Sequence, residues 1–255
     1  MRIFDSHAHY DDSRYSEDFQ TVMDKNKAAG VEKIMLAATD LDSSKHLIEM
    51  AKSNSLFLAS VGIHPENAKY AKKEDLLEIE ALAKDPAVRA IGEIGLDYHY
   101  GSDKEEQKFY FEKLLDIAEK AEKPVIIHSR DATEDVMNIL RSRKIHNGVV
   151  HCFSGSKETA AELLKMGYYI GFTGVVTFKN ASRAVENVAA VPIERLLIET
   201  DCPYMAPEPH RGERNDSSYL TYIAEKISEI KNISPEEVAE ITYNNACRLF
   251  GERGK

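Results

Sequence analysis

The sequence predicts an α/β protein built as a single (β/α)8 barrel over residues 1–255, and three observations predict it. Short runs rich in Val, Ile and Leu recur eight times with little polar alternation, as parallel strands covered on both faces require. Segments of helical spacing separate those runs. His, Glu and Asp residues recur at their downstream ends, where this class of barrel places its reactive groups. The length agrees, since such a barrel needs about 250 residues. No low-complexity block or break in composition divides the chain.

The strands are expected over 2–5, 33–37, 57–62, 88–92, 124–128, 148–151, 168–171 and 196–200. After the first, Phe19, Val22, Met23 and Ala29 line one helical face, and Gly30 supplies a stop. Phe111, Leu114, Leu115, Ala118 and Ala121 form a second stripe, closed by Pro124 at the fifth strand. Leu220, Ile223, Ala224, Ile227 and Ile230 form a third. Ser234-Pro235-Glu236-Glu237 then reads as an N-cap, a proline at the first helical position and a capping-box glutamate, opening a last helix towards Phe250. An open doubly wound sheet is the competing architecture. The lack of a glycine-rich turn after the first strand argues against its dinucleotide-binding version.

Composition narrows the function. The net charge of −10, from 33 basic and 43 acidic residues, disfavours broad duplex binding but allows a small positive region around a metal. Cys152, Cys202 and Cys247 are an odd number without paired spacing, which suits a reducing compartment. No apolar stretch approaches the roughly 20 residues that span a bilayer. The start, Met1-Arg2-Ile3-Phe4-Asp5, lacks the apolar core of a signal peptide. A cytoplasmic address, no membrane contact, no obligatory protein partner and a monomer by default are expected.

The chemistry is carried by His7-Ala8-His9. Residues two apart on an extended chain point to one side, so the two imidazoles make half of a metal site. His64, Glu93, His128, His151 and Asp201 then follow the third, fourth, fifth, sixth and eighth runs. Gathered without a cation, such groups would suffer costly desolvation and repulsion. His7, His9, Glu93, His128, His151 and Asp201 offer four imidazoles and two carboxylates, a set that suits Zn, Mn, Co, Fe or Ni and holds Mg less comfortably. Six ligands exceed what one tetrahedral catalytic ion needs, so one or two divalent ions are expected, two sharing a carboxylate fitting better. Cys152 and Cys202, each next to a proposed ligand, are expected to point away from it.

The segments Asp5-Ser6-His7-Ala8-His9, Gly62-Ile63-His64-Pro65, Gly92-Glu93-Ile94-Gly95-Leu96-Asp97-Tyr98, Pro124-Val125-Ile126-Ile127-His128-Ser129-Arg130, His151-Cys152-Phe153-Ser154-Gly155 and Glu199-Thr200-Asp201-Cys202-Pro203-Tyr204 resemble, in order, the motifs of the TatD-type metal-dependent hydrolases of the amidohydrolase superfamily. The resemblance covers essentially the whole chain. It implies a TIM barrel with one or two divalent metals and hydrolase activity, most often deoxyribonuclease or 3′–5′ exonuclease action. It also implies that His7, His9, Glu93 and Asp201 hold one metal, with Glu93 bridging to a second held by His128 and His151. The residue reading gives the same bridge. Two departures, Asp216-Ser217-Ser218 where the family often has an acidic residue and a proline, and Glu66 where many members have histidine, lie where substrate would be read.

The expected reaction is phosphodiester hydrolysis of DNA ends or single-stranded DNA by a metal-activated water, with Asp201 as base. His64 is expected to protonate a leaving group or bind a phosphate oxygen. Arg130 and Arg211 are candidate phosphate forks, and Tyr98, Phe153, Phe178 and Tyr204 are candidate base-stacking residues. The alternative is hydrolysis of an ester or amide, such as an aminoacyl ester on tRNA, because the same ligands serve carbonyl and phosphoryl centres. A non-enzymatic scaffold would require a broken ligand set, and none is broken here.

Overall fold

The computed structural model describes residues 1–99, 103–145 and 147–252. The strands are β1 (Ile3–Ala8), β2 (Val31–Leu36), β3 (Phe57–Val61), β4 (Val88–Asp97), β5 (Val125–Arg130), β6 (Gly148–Val150), β7 (Tyr169–Phe172) and β8 (Leu196–Ile198). They form one eight-stranded sheet in chain order, the (β/α)8 barrel that the sequence predicts. The helices are α1 (Phe19–Ala28), α2 (Leu41–Ser53), α3 (Asp75–Leu82), α4 (Lys104–Ala121), α5 (Thr133–Arg141), α6 (Lys157–Met166), α7 (Ser182–Ala190), α8 (Leu220–Lys231) and α9 (Pro235–Phe250). No helix among the described residues is long and apolar enough to cross a membrane.

The chain divides into two compact units, residues 1–36 with 152–255, and residues 37–151. In the first, β1 pairs in parallel with β2, and β7 with β8. A single bridge from Ala8 to Cys202 joins β1 to the segment after β8. Every side chain of β1 and β8 is buried, which is why those runs show no polar alternation except at the chemically active positions. Phe4 packs against Tyr243 and Phe250 of α9, ring centroids 6.1 and 5.8 Å away. The capping box at Ser234 and Glu237 is formed, so the start of α9 is fixed by its own sequence. Gly30, at φ +90°, ends the turn after α1.

In the second unit β3, β4, β5 and β6 are consecutive parallel neighbours. α4 buries Phe111, Leu114, Leu115 and Ala118, the stripe read from the sequence. Here the strand ends differ from expectation. β4 continues past 92 to Asp97 and β5 past 128 to Arg130, so Glu93 and His128 lie inside strands rather than at their ends. The glycines and charges of Gly92-Glu93-Ile94-Gly95-Leu96-Asp97 read as a strand terminus. Pairing of Ile94, Gly95, Leu96 and Asp97 with Ile127, His128, Ser129 and Arg130 overrides that signal.

Candidate metal centre

In the unit of residues 1–36 and 152–255, the alternation of β1 sends Asp5 and His7 to one face, with His9 just beyond. The Nε2 atoms of His7 and His9 lie 3.1 Å apart. Asp201 Oδ1 lies 3.5 Å from His7 Nε2 and 3.4 Å from His9 Nε2. The backbone makes this meeting obligatory: Asp201 N donates to His7 O at 2.9 Å, and His9 N donates to Cys202 O at 2.8 Å. Asp201 itself adopts a left-handed conformation, φ +55°.

Two further carboxylates support that segment. Asp5, fully buried, accepts from Thr200 N at 3.0 Å, from Thr200 Oγ1 at 2.6 Å and from Ser217 Oγ at 2.6 Å. Burial still outweighs these bonds and lifts its carboxyl to about 6. Glu199 accepts from Ser6 Oγ at 3.1 Å and from Cys152 N. A Cβ at Gly171 would sit 2.5 Å from Glu199 Oε2, so glycine there is what admits the carboxylate. Cys202 is buried, which pushes its thiol up to about 12. Cys152 Sγ contacts Met205 Sδ at 3.5 Å.

In the unit of residues 37–151, Glu93 Oε1 is the focus. It lies 2.8 Å from His128 Nδ1, 2.7 Å from His151 Nε2 and 3.6 Å from His64 Nε2. His128 stands opposite Gly95 in the β4–β5 register, midway between Glu93 and Asp97 on the same face of β4. Its ring therefore reaches both: Nδ1 faces Glu93, and Nε2 lies 3.0 Å from Asp97 Oδ2. A Cβ on Gly95 would fall 2.0 Å from His128 O, and φ there is +144°, so glycine is required. Burial pushes the His128 imidazole down, but bonds to Asp97 and Glu93 win and hold it up to about 9 while no cation competes. Burial raises Asp97, but bonds from His128 and from His99 N bring its carboxyl below the usual range. Gln107 in α4 fixes Asp97 by a reciprocal pair of 2.8 Å backbone contacts.

His64 leaves β3 as the cap of the turn at Pro65, where its Nδ1 accepts from Glu66 N at 3.2 Å. A neutral ring so held carries its proton on Nε2. Its other nitrogen, Nε2, is the one turned towards Glu93 Oε1, 3.6 Å away.

The donor sets fit divalent ions. Ligands bound at about 2.1 Å stand roughly 3.0 Å apart at right angles and 3.4 Å apart at the tetrahedral angle. His7, His9 and Asp201 give 3.1, 3.4 and 3.5 Å. Glu93, His128 and His151 give 2.7, 2.8 and 3.2 Å, a tighter set nearer the right-angled arrangement. His64, Glu93 and His128 form an overlapping group.

Arg130 is exposed at the end of β5, while Asp131 pairs with His99 Nδ1 at 3.0 Å. Arg211 is exposed with its guanidinium 4.3 Å from the Phe178 ring centroid. Sequence reasoning gave no role to Asp97, Asp5 or Glu199. The period-2 spacing of Glu93 with Asp97, and of Asp5 with His7, was the signal available for two of them.

The profile of the TatD related DNase family matches residues 4–251. The chain is 44% identical over 251 residues to the "uncharacterized metal-dependent hydrolase YabD" of Bacillus subtilis, covering 97% of this chain and 98% of that one. It is 34% identical over 258 residues to the "3′-5′ ssDNA/RNA exonuclease TatD" of Citrobacter rodentium, covering 98% of each. The crystal structure of YJJV, a TatD homologue from Escherichia coli, superposes with a TM-score of 0.94 at 30% identity over 99% of both chains. The chain belongs to the TatD related DNase family of metal-dependent hydrolases.

Proposed function

We propose that this chain is a divalent-metal-dependent deoxyribonuclease of the 3′–5′ exonuclease type, acting as one hydrolase domain on single-stranded DNA ends in the cytoplasm. The observation that carries the metal is the convergence of His7, His9 and Asp201 at 3.1–3.5 Å, and of Glu93, His128 and His151 at 2.7–3.2 Å. The Citrobacter relative, matched over nearly its whole length, supports the nucleic-acid substrate. Each triad would hold one ion, with Glu93 assigned to both on the sequence reading.

A divalent ion bound there supplies a Lewis acid for the phosphoryl oxygens and acidifies water. The chain supplies the rest. Asp201 orients the attacking water and takes its proton. His64, carrying its proton on Nε2, protonates the leaving oxygen or holds a phosphate oxygen. Arg130 and Arg211 present forked donors to the phosphate backbone.

The test is end-labelled single-stranded DNA incubated with metal-stripped protein, with Mg, Mn or Zn added back, beside His128→Ala. Loss of nucleotides from the 3′ end that needs both metal and His128 supports the proposal. Absence of cleavage with every metal overturns it and moves an aminoacyl ester substrate forward. An RNA arm decides whether the sugar is discriminated.

A further inference from the structure

We propose that Tyr204, backed by Arg14, is a stacking platform for a nucleobase of the substrate strand. This rests on the nucleic-acid reading above and assigns that reading a binding subsite. Tyr204 is 50% exposed, whereas Tyr10 and Tyr15 of the same unit are 3% and 1% exposed. Exposure alone is ordinary for a tyrosine, and Tyr70 is 73% exposed; what sets Tyr204 apart is how its ring is held beside the metal-site segments.

The ring is placed with rigour. Tyr204 N donates to Asp201 O at 3.0 Å, which ties the ring's own backbone to the residue proposed as base. Buried Asn215 donates from Nδ2 to Tyr204 O at 2.7 Å and to Thr200 O at 3.0 Å, clamping both sides of Asp201. Arg14 lies with its guanidinium 4.4 Å from the Tyr204 ring centroid. That guanidinium is itself fixed by two bonds to Asp12, 2.9 Å from Nε to Oδ1 and 2.7 Å from Nη2 to Oδ2. Asp12 N donates to His9 O at 3.3 Å. Ring and cation are thus anchored to the two segments that carry His9 and Asp201.

A flat ring with a cation stacked on one side suits a second flat π-system on the other. The charge of the chain strengthens the choice. A net charge of −10 disfavours a broad basic footprint, so base stacking beside the reacting group is a source of affinity that does not need one. The other candidate rings serve less well. Phe153 is buried, and the Tyr98 hydroxyl is bonded to Asp135 Oδ2 at 2.6 Å. Phe178 also has an arginine, Arg211, over its ring, but it is half-buried where Tyr204 is exposed, and among the described residues no bond ties it to Asp201 or His9. Stacking reads no hydrogen-bond code, so little preference among bases is expected.

The experiment compares Tyr204→Ala, Tyr204→Phe and, as an exposed-ring control, Tyr70→Ala in the full metal-loaded chain. Substrates are an oligothymidylate and the same strand ending in abasic residues. The expected result is a rise in KM of about 5- to 100-fold for Tyr204→Ala on the base-bearing strand, with kcat changed much less. Tyr204→Phe and Tyr70→Ala stay near wild type, and on the abasic strand all four proteins match. An equal rise on both strands, or none on either, overturns the platform. A second readout needs no turnover: quenching of a 3′-terminal 2-aminopurine on a cleavage-resistant phosphorothioate strand, kept by Phe and lost by Ala. If neither strand is cut by any protein, the nuclease reading fails. Quenching then decides the platform alone, and its absence in wild type overturns it.

Discussion

Asp97 is the sharpest place to test how the second triad is held. Its Oδ2 sits 3.0 Å from His128 Nε2, and it is buried, so the bond is charge-assisted and shielded from water. Once an ion displaces the Nδ1 proton that faces Glu93, this bond keeps the remaining proton on Nε2, the tautomer an ion at Nδ1 requires. A hydrogen bond to a charged group contributes about 1.5–3 kcal/mol, which at 1.4 kcal/mol per decade is about 12- to 150-fold in affinity. That range overlaps the 10- to 100-fold loss typical when a ligand's outer partner is removed, about what Asp97→Ala is expected to cost. Asp97→Asn keeps an acceptor without the charge and is expected to lose about tenfold. Gln107 grips the backbone of Asp97, not its carboxylate, so the strand end should survive both changes. The assay is titration of Zn or Mn against a competing chelator, with histidine ¹⁵N spectra reporting the His128 tautomer. If Asp97→Ala bound metal within about twofold of wild type, or His128 of the metal-loaded wild type carried its proton on Nδ1, the reasoning would be wrong.

Further expectations concern the same centres. His9→Ala and His128→Ala should each lower the bound-metal stoichiometry measured by atomic emission; an unchanged count for either removes its triad from the metal assignment. Metal binding should release protons below pH 9, because His128 is held up to about 9 in the metal-free protein and an ion needs its Nδ1 neutral. Affinity should therefore climb as pH rises towards 9, and calorimetry in buffers of different ionisation enthalpy that finds no released proton refutes this. The same raised imidazole adds stability to the metal-free protein below about pH 6.5, lost as pH rises through about 9, readable in denaturant midpoints. Gly95→Ala, which puts a Cβ 2.0 Å from His128 O at φ +144°, should cost about 2–6 kcal/mol of stability. A melting point within two degrees or so of wild type would show that this strand yields more easily than its packing suggests.

Much of this was legible in the primary structure. Eight apolar runs appear as eight strands in chain order, and the signature at Ser234–Glu237 opens α9 as written. The side chains at 7, 9 and 201, and those at 64, 93, 128 and 151, meet within their units because each lies in a strand or within three residues of a strand's downstream end, and that placement is a local property of the sequence. The support around them was not legible. Asp97 matters only because β4 runs ten residues, and the glycines that permit this look like the end of a strand. Gly95 is explained by His128, a partner on another strand. Asp5 likewise acquires its meaning from Thr200 and Ser217, and Arg14 from Tyr204, contacts between distant stretches that no local window contains.

The length of β4 makes it a ruler. Glu93, Gly95 and Asp97 alternate with Ile94 and Leu96, so two successive two-residue steps set the places of a carboxylate, a gap for His128 and a second carboxylate. Inserting or deleting one residue between 93 and 97 would turn the far carboxylate to the opposite face of the sheet. The loops that follow the strands can change length wherever they carry no functional side chain, but this stretch tolerates no change of length. Alignments of diverged relatives should therefore be gapless across it, and transplants that alter specificity should be cut outside it.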